Sequence, residues 1–223
     1  MRLTDEDHAR VTAAVTAAER DTAGEIVTAV AARSDAYHDA ALHYAVLAML
    51  GVLALLAARP GWAMAAWVLV DRDGWQAPPA GALLAVALVL ATLAFLVVRF
   101  ALAYLPLRLA LTPGMTKTRR VRRQGLTLFR IGAERRTRGR TGVLIYLSLG
   151  ERRAEIIADA AIHDRVAPDV WGAAMAALLA DVRDGRPGDG LAAAVTAVGA
   201  VLAEHFPHAA DDVNELPDRL IDL

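Results

Sequence analysis

Two stretches without a single Asp, Glu, Lys or Arg, residues 40–58 and 74–98, constrain this chain of 223 residues more than any other feature. A helix rising about 1.5 Å per residue needs about 20 mostly apolar residues to cross the hydrocarbon core of a bilayer. One span is therefore expected at about 42–58 and a second at about 80–104, as a two-helix transmembrane hairpin occupying residues 36–110. Residues 60–70 (PGWAMAAWVLV) are apolar but too short to cross alone. They are expected to lie in the interface, where Trp62, Trp67 and Trp75 suit the headgroup region, to extend a span, or to form a re-entrant piece.

The charge distribution orients the hairpin. The formal net charge of −1 hides ten basic residues and one acid (Glu134) within 117–140. The connection 59–79 is nearly neutral, with Arg59 and Arg72 against Asp71 and Asp73, whereas Arg99, Arg108 and the 117–140 block follow the second span. Lys and Arg mark the cytoplasmic side, so both termini and the soluble domain are expected at the cytosolic face of a bacterial inner membrane. The opening MRLTDEDHARV has no apolar core and reads as no signal peptide. With no cysteine, a disulfide framework, thiolate metal sites and a cysteine nucleophile are excluded.

The soluble residues fall on both sides of the hairpin. Thr4 and Asp7 form a capping pair for a helix whose stripe is Val11, Ala14, Val15 and Ala18, and Gly24 ends it. The run 25–30 (EIVTAV) then reads as a strand. One helix and one strand bury no core alone, so residues 1–35 should pack with residues 141–208. There 141–149 reads as a buried strand, Gly150 and Glu151 as a turn, and 154–158 as the returning antiparallel strand. Pro168 opens a helix with the stripe Trp171, Ala174, Met175, Leu178 and Val182. A last helix presents Leu191, Val195, Val198, Leu202 and Phe206 and stops before Pro207. The fold class is α/β: a small sandwich of three to four strands with flanking helices, interrupted by the hairpin. The acidic tail 209–223 has no stripe long enough to force a fold and is expected to fray or to dock on a partner.

These residues resemble a known family. Gly24-Glu25-Ile26-Val27 after an amphipathic helix, Thr141-Gly142-Val143-Leu144-Ile145, the strand end Glu155-Ile156-Ile157-Ala158-Asp159, and Gly188-Asp189-Gly190-Leu191 look like elements of the TPM domain family. That family takes its name from a thylakoid-lumen protein, a photosystem II repair protein and a modulator of levamisole-sensitive receptors. The resemblance covers roughly half of the chain in two pieces and implies a small α/β sandwich. It also implies one of two activities, acid phosphatase or assembly and repair of membrane complexes. Many bacterial relatives carry a signal peptide, an extracytoplasmic domain and a C-terminal anchor; here the apolar runs interrupt the domain. The loop 159–164 (DAAIHD) replaces a glycine-rich turn common in the family.

Two groups of residues are candidates for chemistry. Asp159, His163 and Asp164, with Asp189 brought near by the fold, would bind a hard divalent cation, Ca²⁺ or Mg²⁺, or supply acid–base catalysis. Against this, the aspartates serve equally well as turn residues or caps, Asp189 for a helix starting at Gly190 or Leu191. The second group is basic: Lys117, Arg119, Arg120, Arg122, Arg123, Arg130, Arg135, Arg136, Arg138 and Arg140. It reads as the anchor of the second span, and Val121, Gly125, Leu128, Phe129 and Gly132 share a side, so the segment 111–140 is expected to lie along anionic lipid. Nucleic-acid binding is not expected, because Phe129 alone offers a stacking surface. Glu25 reads as an edge residue, Ser148 lacks a nucleophile elbow, and no phosphate-binding glycine loop follows a strand. The reading is a non-enzymatic interaction or assembly factor for a membrane protein partner; the alternative is a metal-dependent, acid-phosphatase-like hydrolase.

Overall fold

The computed structural model describes residues 3–69, 71, 78–132, 141–167, 169–208, 216 and 218–223. Trp75, Pro168, Glu134, Arg135, Arg136, Arg138, Arg140 and residues 209–215 lie outside them. The chain divides into two compact units, Met1–Asp35 with Gly114–Leu223, and Ala36–Pro113.

The first unit is built on a mixed four-stranded sheet of order β3-β2-β1-β4, with β1 Glu25–Ala31, β2 Gly142–Ser148, β3 Arg153–Ala158 and β4 Ile221–Asp222. β1 runs parallel to β2, from Glu25 opposite Gly142 to Ala31 opposite Ser148, and β2 runs antiparallel to β3. All seven residues of β1 and of β2 are buried, because helices cover both faces of the sheet. On one face Ile26, Val30, Val143, Ile145 and Leu147 meet the stripes of α1 (Asp5–Glu19), α8 (Val170–Arg183) and α9 (Pro187–His205). On the other, Val27, Ala29, Leu144, Tyr146 and Ile157 meet Val121 and Phe129 of α6 (Gly114–Gly132). The Thr4–Asp7 capping box starts α1: the Asp7 amide donates to Thr4 Oγ1 at 3.2 Å and the Thr4 amide to Asp7 Oδ2 at 2.9 Å.

The structure corrects three expectations for this unit. The acidic tail is not frayed throughout. Leu216 and Leu220 are buried, and β4 pairs in parallel with β1, the Leu223 amide donating to Val30 O at 2.9 Å. Two leucines and a two-residue strand are too short to give a periodic signal, yet they close the β1 edge. Glu25 is buried rather than exposed at an edge, its Oε2 accepting the Leu216 amide at 3.2 Å. The apolar side of α6 does not lie along a bilayer; the sheet uses it. At Gly125 an added Cβ would lie 2.8 Å from Ile157 Cδ1 and 3.3 Å from Tyr146 Cδ1, so glycine lets the helix sit this close.

Among the described residues, the hydroxyl of Thr28, 1% exposed in the middle of β1, is one of the buried polar groups without a hydrogen-bond partner. A buried hydroxyl left unmade costs about 1–3 kcal/mol, and an isosteric methyl costs nothing comparable. Thr28→Val is therefore expected to stabilise this unit by about 1 kcal/mol, seen as a higher urea midpoint at unchanged slope. A lower midpoint would mean that the hydroxyl is satisfied.

The second unit is helical: α2 (His38–Ala58), α3 (Pro60–Val68), α4 (Ala80–Ala101) and α5 (Leu105–Leu111). Residues 60–68 thus form a helix, begun by Pro60 at its first position. α2 and α4 pack against each other and α3 against both. Ala41, Ala45, Ala63 and Ala91 are buried at these contacts, whereas Leu47, Leu50, Leu84, Leu88 and Val97 are exposed. Small residues let the helices approach closely, and the large apolar ones point away from the unit. Both α2 and α4 are long and apolar enough to cross a membrane. α5 is tied to α2 by Tyr44, whose hydroxyl donates to Leu111 O at 2.9 Å, and by Arg108, whose Nη1 lies 2.9 Å from His38 Nδ1.

Candidate functional site: a basic groove at the sheet edge

β3 is the outermost strand on its side of the sheet, and α6 packs on it and on β2. Between the second half of α6 and the end of β3 lies a groove of about 540 Å³ that continues to α7 (Ala160–His163). This size is within the range of ligand sites. Arg122, Leu126, Phe129 and Arg130 form its helical wall, and their spacing puts them on one side of α6. The opposite wall is the consecutive run Ile156, Ile157, Ala158, Asp159 and Ala160, with His163 beyond. Consecutive residues line a groove when it follows the backbone of an edge strand rather than one of its faces.

Asp159 fastens the end of this wall. Its Oδ2 accepts the Gly142 amide at 3.2 Å, its amide donates to Gly142 O at 3.0 Å, and its carbonyl accepts the amides of Ile162 and His163, which starts α7. The carboxylate is buried, whereas His163 and Asp164, at the end of α7, are exposed. Asp189 lies elsewhere. α9 begins at Pro187, so Asp189 is inside its first turn rather than capping it, and Arg10 Nη1 of α1 donates to its Oδ1 at 2.5 Å. That pair belongs to the α1–α9 layer, on the face of the sheet away from α6. The four residues proposed for a metal therefore do not form one cluster, and among the described residues no three His, Asp or Glu side chains are grouped to hold an ion. The capping reading fails because a helix opening with Pro-Gly starts at Pro187, three residues before the start that Asp189 as a cap implies.

Of the basic residues, Arg119, Arg122, Arg123 and Arg130 are exposed on α6, and Lys117 and Arg120 are half-buried. Arg120 pairs with Asp35 at 2.8 Å, tying α6 to the segment that follows β1. Arg135, Arg136, Arg138 and Arg140 are outside the described residues.

Two features were not singled out from the sequence. At the far end of the sheet a polar cluster satisfies the buried Glu151: Ser148 Oγ donates to its Oε2 and the Ser34 amide to its Oε1 at 2.9 Å. Ser34 Oγ also meets Tyr146 Oη at 2.9 Å, and burial pushes the Tyr146 phenol above its usual value. The spacing Ser148-x-x-Glu151 across a turn was the available signal. The second feature is Glu155, half-buried on β3. Burial pushes its carboxyl up, and the positive charges of Arg122 and Arg153 offset part of that rise.

The Glu155 shift has a stability consequence with a definite sign. Below the unfolded value of 4.5 both states hold the proton and the group contributes nothing. As pH rises through the raised folded value, the unfolded chain has already released its proton and the folded state is penalised for releasing it. Glu155→Gln is therefore expected to be more stable than the parent at pH 7, with the gap closing as pH falls toward 4, as read from urea midpoints. A less stable variant at pH 7 would mean that Arg122 and Arg153 outweigh burial.

No family model matches the chain, and no curated protein matches it. It is similar to a solved structure, the NMR structure of the BA42 protein from the psychrophilic bacterium Bizionia argentinensis, with a TM-score of 0.56 and 17% identity. That similarity covers 100% of this chain and 97% of the other. At this identity the likeness concerns the α/β fold.

Proposed function

We propose that this chain is a membrane-anchored, TPM-like domain protein, with a transmembrane hairpin inserted in a small α/β sandwich, that acts as an interaction or assembly factor at the cytosolic face of a bacterial inner membrane. The carrying observation is α6. Its apolar side is consumed by the sheet, and Arg119, Arg122, Arg123 and Arg130 stand exposed on a helix held in place by Val121, Gly125 and Phe129. A rigid cationic face of this kind serves association with an acidic membrane partner. Any attraction to anionic lipid through it would be mainly electrostatic and weakened by salt, because the apolar stripe of α6 is packed on the sheet and only the isolated Met115 and Ile131 stay exposed. The large apolar side chains exposed on α2 and α4 support the anchor.

The test is a photo-crosslinker at Arg123 of the full chain in intact cells, with trypsin applied to membrane vesicles of both orientations. Discrete adducts with a membrane protein, lost in Arg119→Glu/Arg122→Glu, and cleavage confined to inside-out vesicles are expected. Cleavage in right-side-out vesicles would reverse the orientation. Metal-dependent hydrolysis of a generic phosphate ester by the purified chain, abolished in Asp159→Ala, would replace this reading by the hydrolase.

A further inference from the structure

We infer that the groove between α6 and β3 takes an extended acidic segment of a partner protein, which adds as a strand to the edge of β3 that no described strand occupies and places two carboxylates against Arg122 and Arg130. This names the partner chemistry of the surface proposed above and rests on that reading.

Three observations carry it. First, β3 ends the sheet, and among the described residues no strand pairs with its outer side. An edge strand presents a row of unmatched N–H and C=O groups, a template for an added strand. Second, the groove follows that edge over 156–158 and continues past Asp159 to α7, and its volume of about 540 Å³ has an apolar lining at Leu126, Phe129 and Ile157. Third, the spacings agree. Arg122 and Arg130 are eight residues apart on α6, about 12 Å along the axis, with Leu126 midway. In an extended chain, residues i and i+4 share a face about 13 Å apart, with i+2 between them. A segment of the pattern acidic–x–apolar–x–acidic therefore sets its acids on the two guanidiniums and its central side chain on Leu126. Asp159, the acid of the wall opposite α6, repels an incoming carboxylate and favours the α6 side.

The experiment selects peptides from a random seven-residue displayed library on the full chain in nanodiscs of neutral phosphatidylcholine. The expected consensus has Asp or Glu four residues apart with Leu, Ile, Val or Phe between them. A synthetic peptide of that sequence should lose at least tenfold in affinity for Arg122→Glu/Arg130→Glu, and that variant should prefer the peptide with lysines in place of the acids. Methylation of the backbone nitrogens facing β3 should cost at least tenfold, and methylation of the alternate nitrogens much less. A consensus without paired acids, or binding indifferent to both methylation patterns, would overturn the inference. So would loss of peptide binding in phosphatidylglycerol nanodiscs, which would assign the arginines to lipid, or a β3-to-β3 dimer in sedimentation, which would assign the edge to a second copy. Adducts from Arg123 without such a consensus would leave the assembly reading standing and place the partner elsewhere.

Discussion

Gly199→Leu is expected to destabilise the α/β unit by about 3 kcal/mol, and Gly199→Ala by a smaller amount of the same sign. The sign is the informative part. In a helix interior alanine is favoured over glycine by about 1 kcal/mol, so propensity alone predicts that Gly199→Ala stabilises α9. Packing predicts the reverse. A Cβ at position 199 would lie 2.5 Å from Ala18 Cβ and 3.3 Å from Ala18 Cα, and backbone does not move aside as a side-chain end does. The same interface is tight at the other end of α9, where a Cβ at Gly188 would overlap Asp7, and α9 is equally tight against α8, where a Cβ at Gly190 would meet Leu178 O at 2.9 Å. The small residues at the crossing set the α1–α9 separation, and the apolar stripes Val11, Val15, Val195, Val198 and Leu202 depend on it. Ala18→Gly in the Gly199→Ala background should return most of the loss, with a coupling of about 1 kcal/mol or more in a double-mutant cycle from denaturant midpoints. A Gly199→Ala variant more stable than the parent would show that the helices separate freely.

The interface also shows what the sequence made legible. The strands expected at 25–30, 141–149 and 154–158 are β1, β2 and β3 within one or two residues, because buried runs of Val, Ile and Leu bounded by Gly leave little choice. The helices expected before β1 and after β3 are there because their stripes recur at helical spacing. What stayed hidden depends on relations that no local pattern encodes. Asp189 stands beside Leu191 in sequence, yet its partner is Arg10, 179 positions away. Leu216 and Leu220 look like a tail until β1 offers them an edge. The periodicity of α6 shows a stripe, but the surface that covers it is the sheet rather than a bilayer, since periodicity says that a face is covered but not by what. The groove depends on that seating: with Phe129 and Gly125 against the sheet, Arg122 and Arg130 line one wall as two like charges.

Leu88→Arg is expected to reduce membrane integration of the chain roughly a hundredfold, and its position along α4 makes the effect diagnostic. Leu88 is 68% exposed near the middle of a 22-residue helix, while Ala91, three residues on, is 3% exposed against its neighbours. If water surrounded this helix, arginine at Leu88 would change stability by less than about 0.5 kcal/mol, as at most surface positions, and would improve solubility. If lipid surrounds it, an arginine at the centre of a span costs about 3 kcal/mol on insertion scales, to which the lost leucine adds a few tenths. The two environments thus predict opposite outcomes for one substitution. Depth sharpens the test. Arginine placed in turn at Leu84, Leu88, Leu93, Val97 and Phe100, all exposed, should give a cost that peaks in the middle and falls toward both ends. At Phe100, next to the native Arg99, the side chain can reach the interface and the cost should be small. Resistance to alkaline carbonate extraction, measured across the five variants, reads the profile directly. A flat profile would remove the bilayer from the account of α4, and with it the anchor on which the proposed assembly role depends.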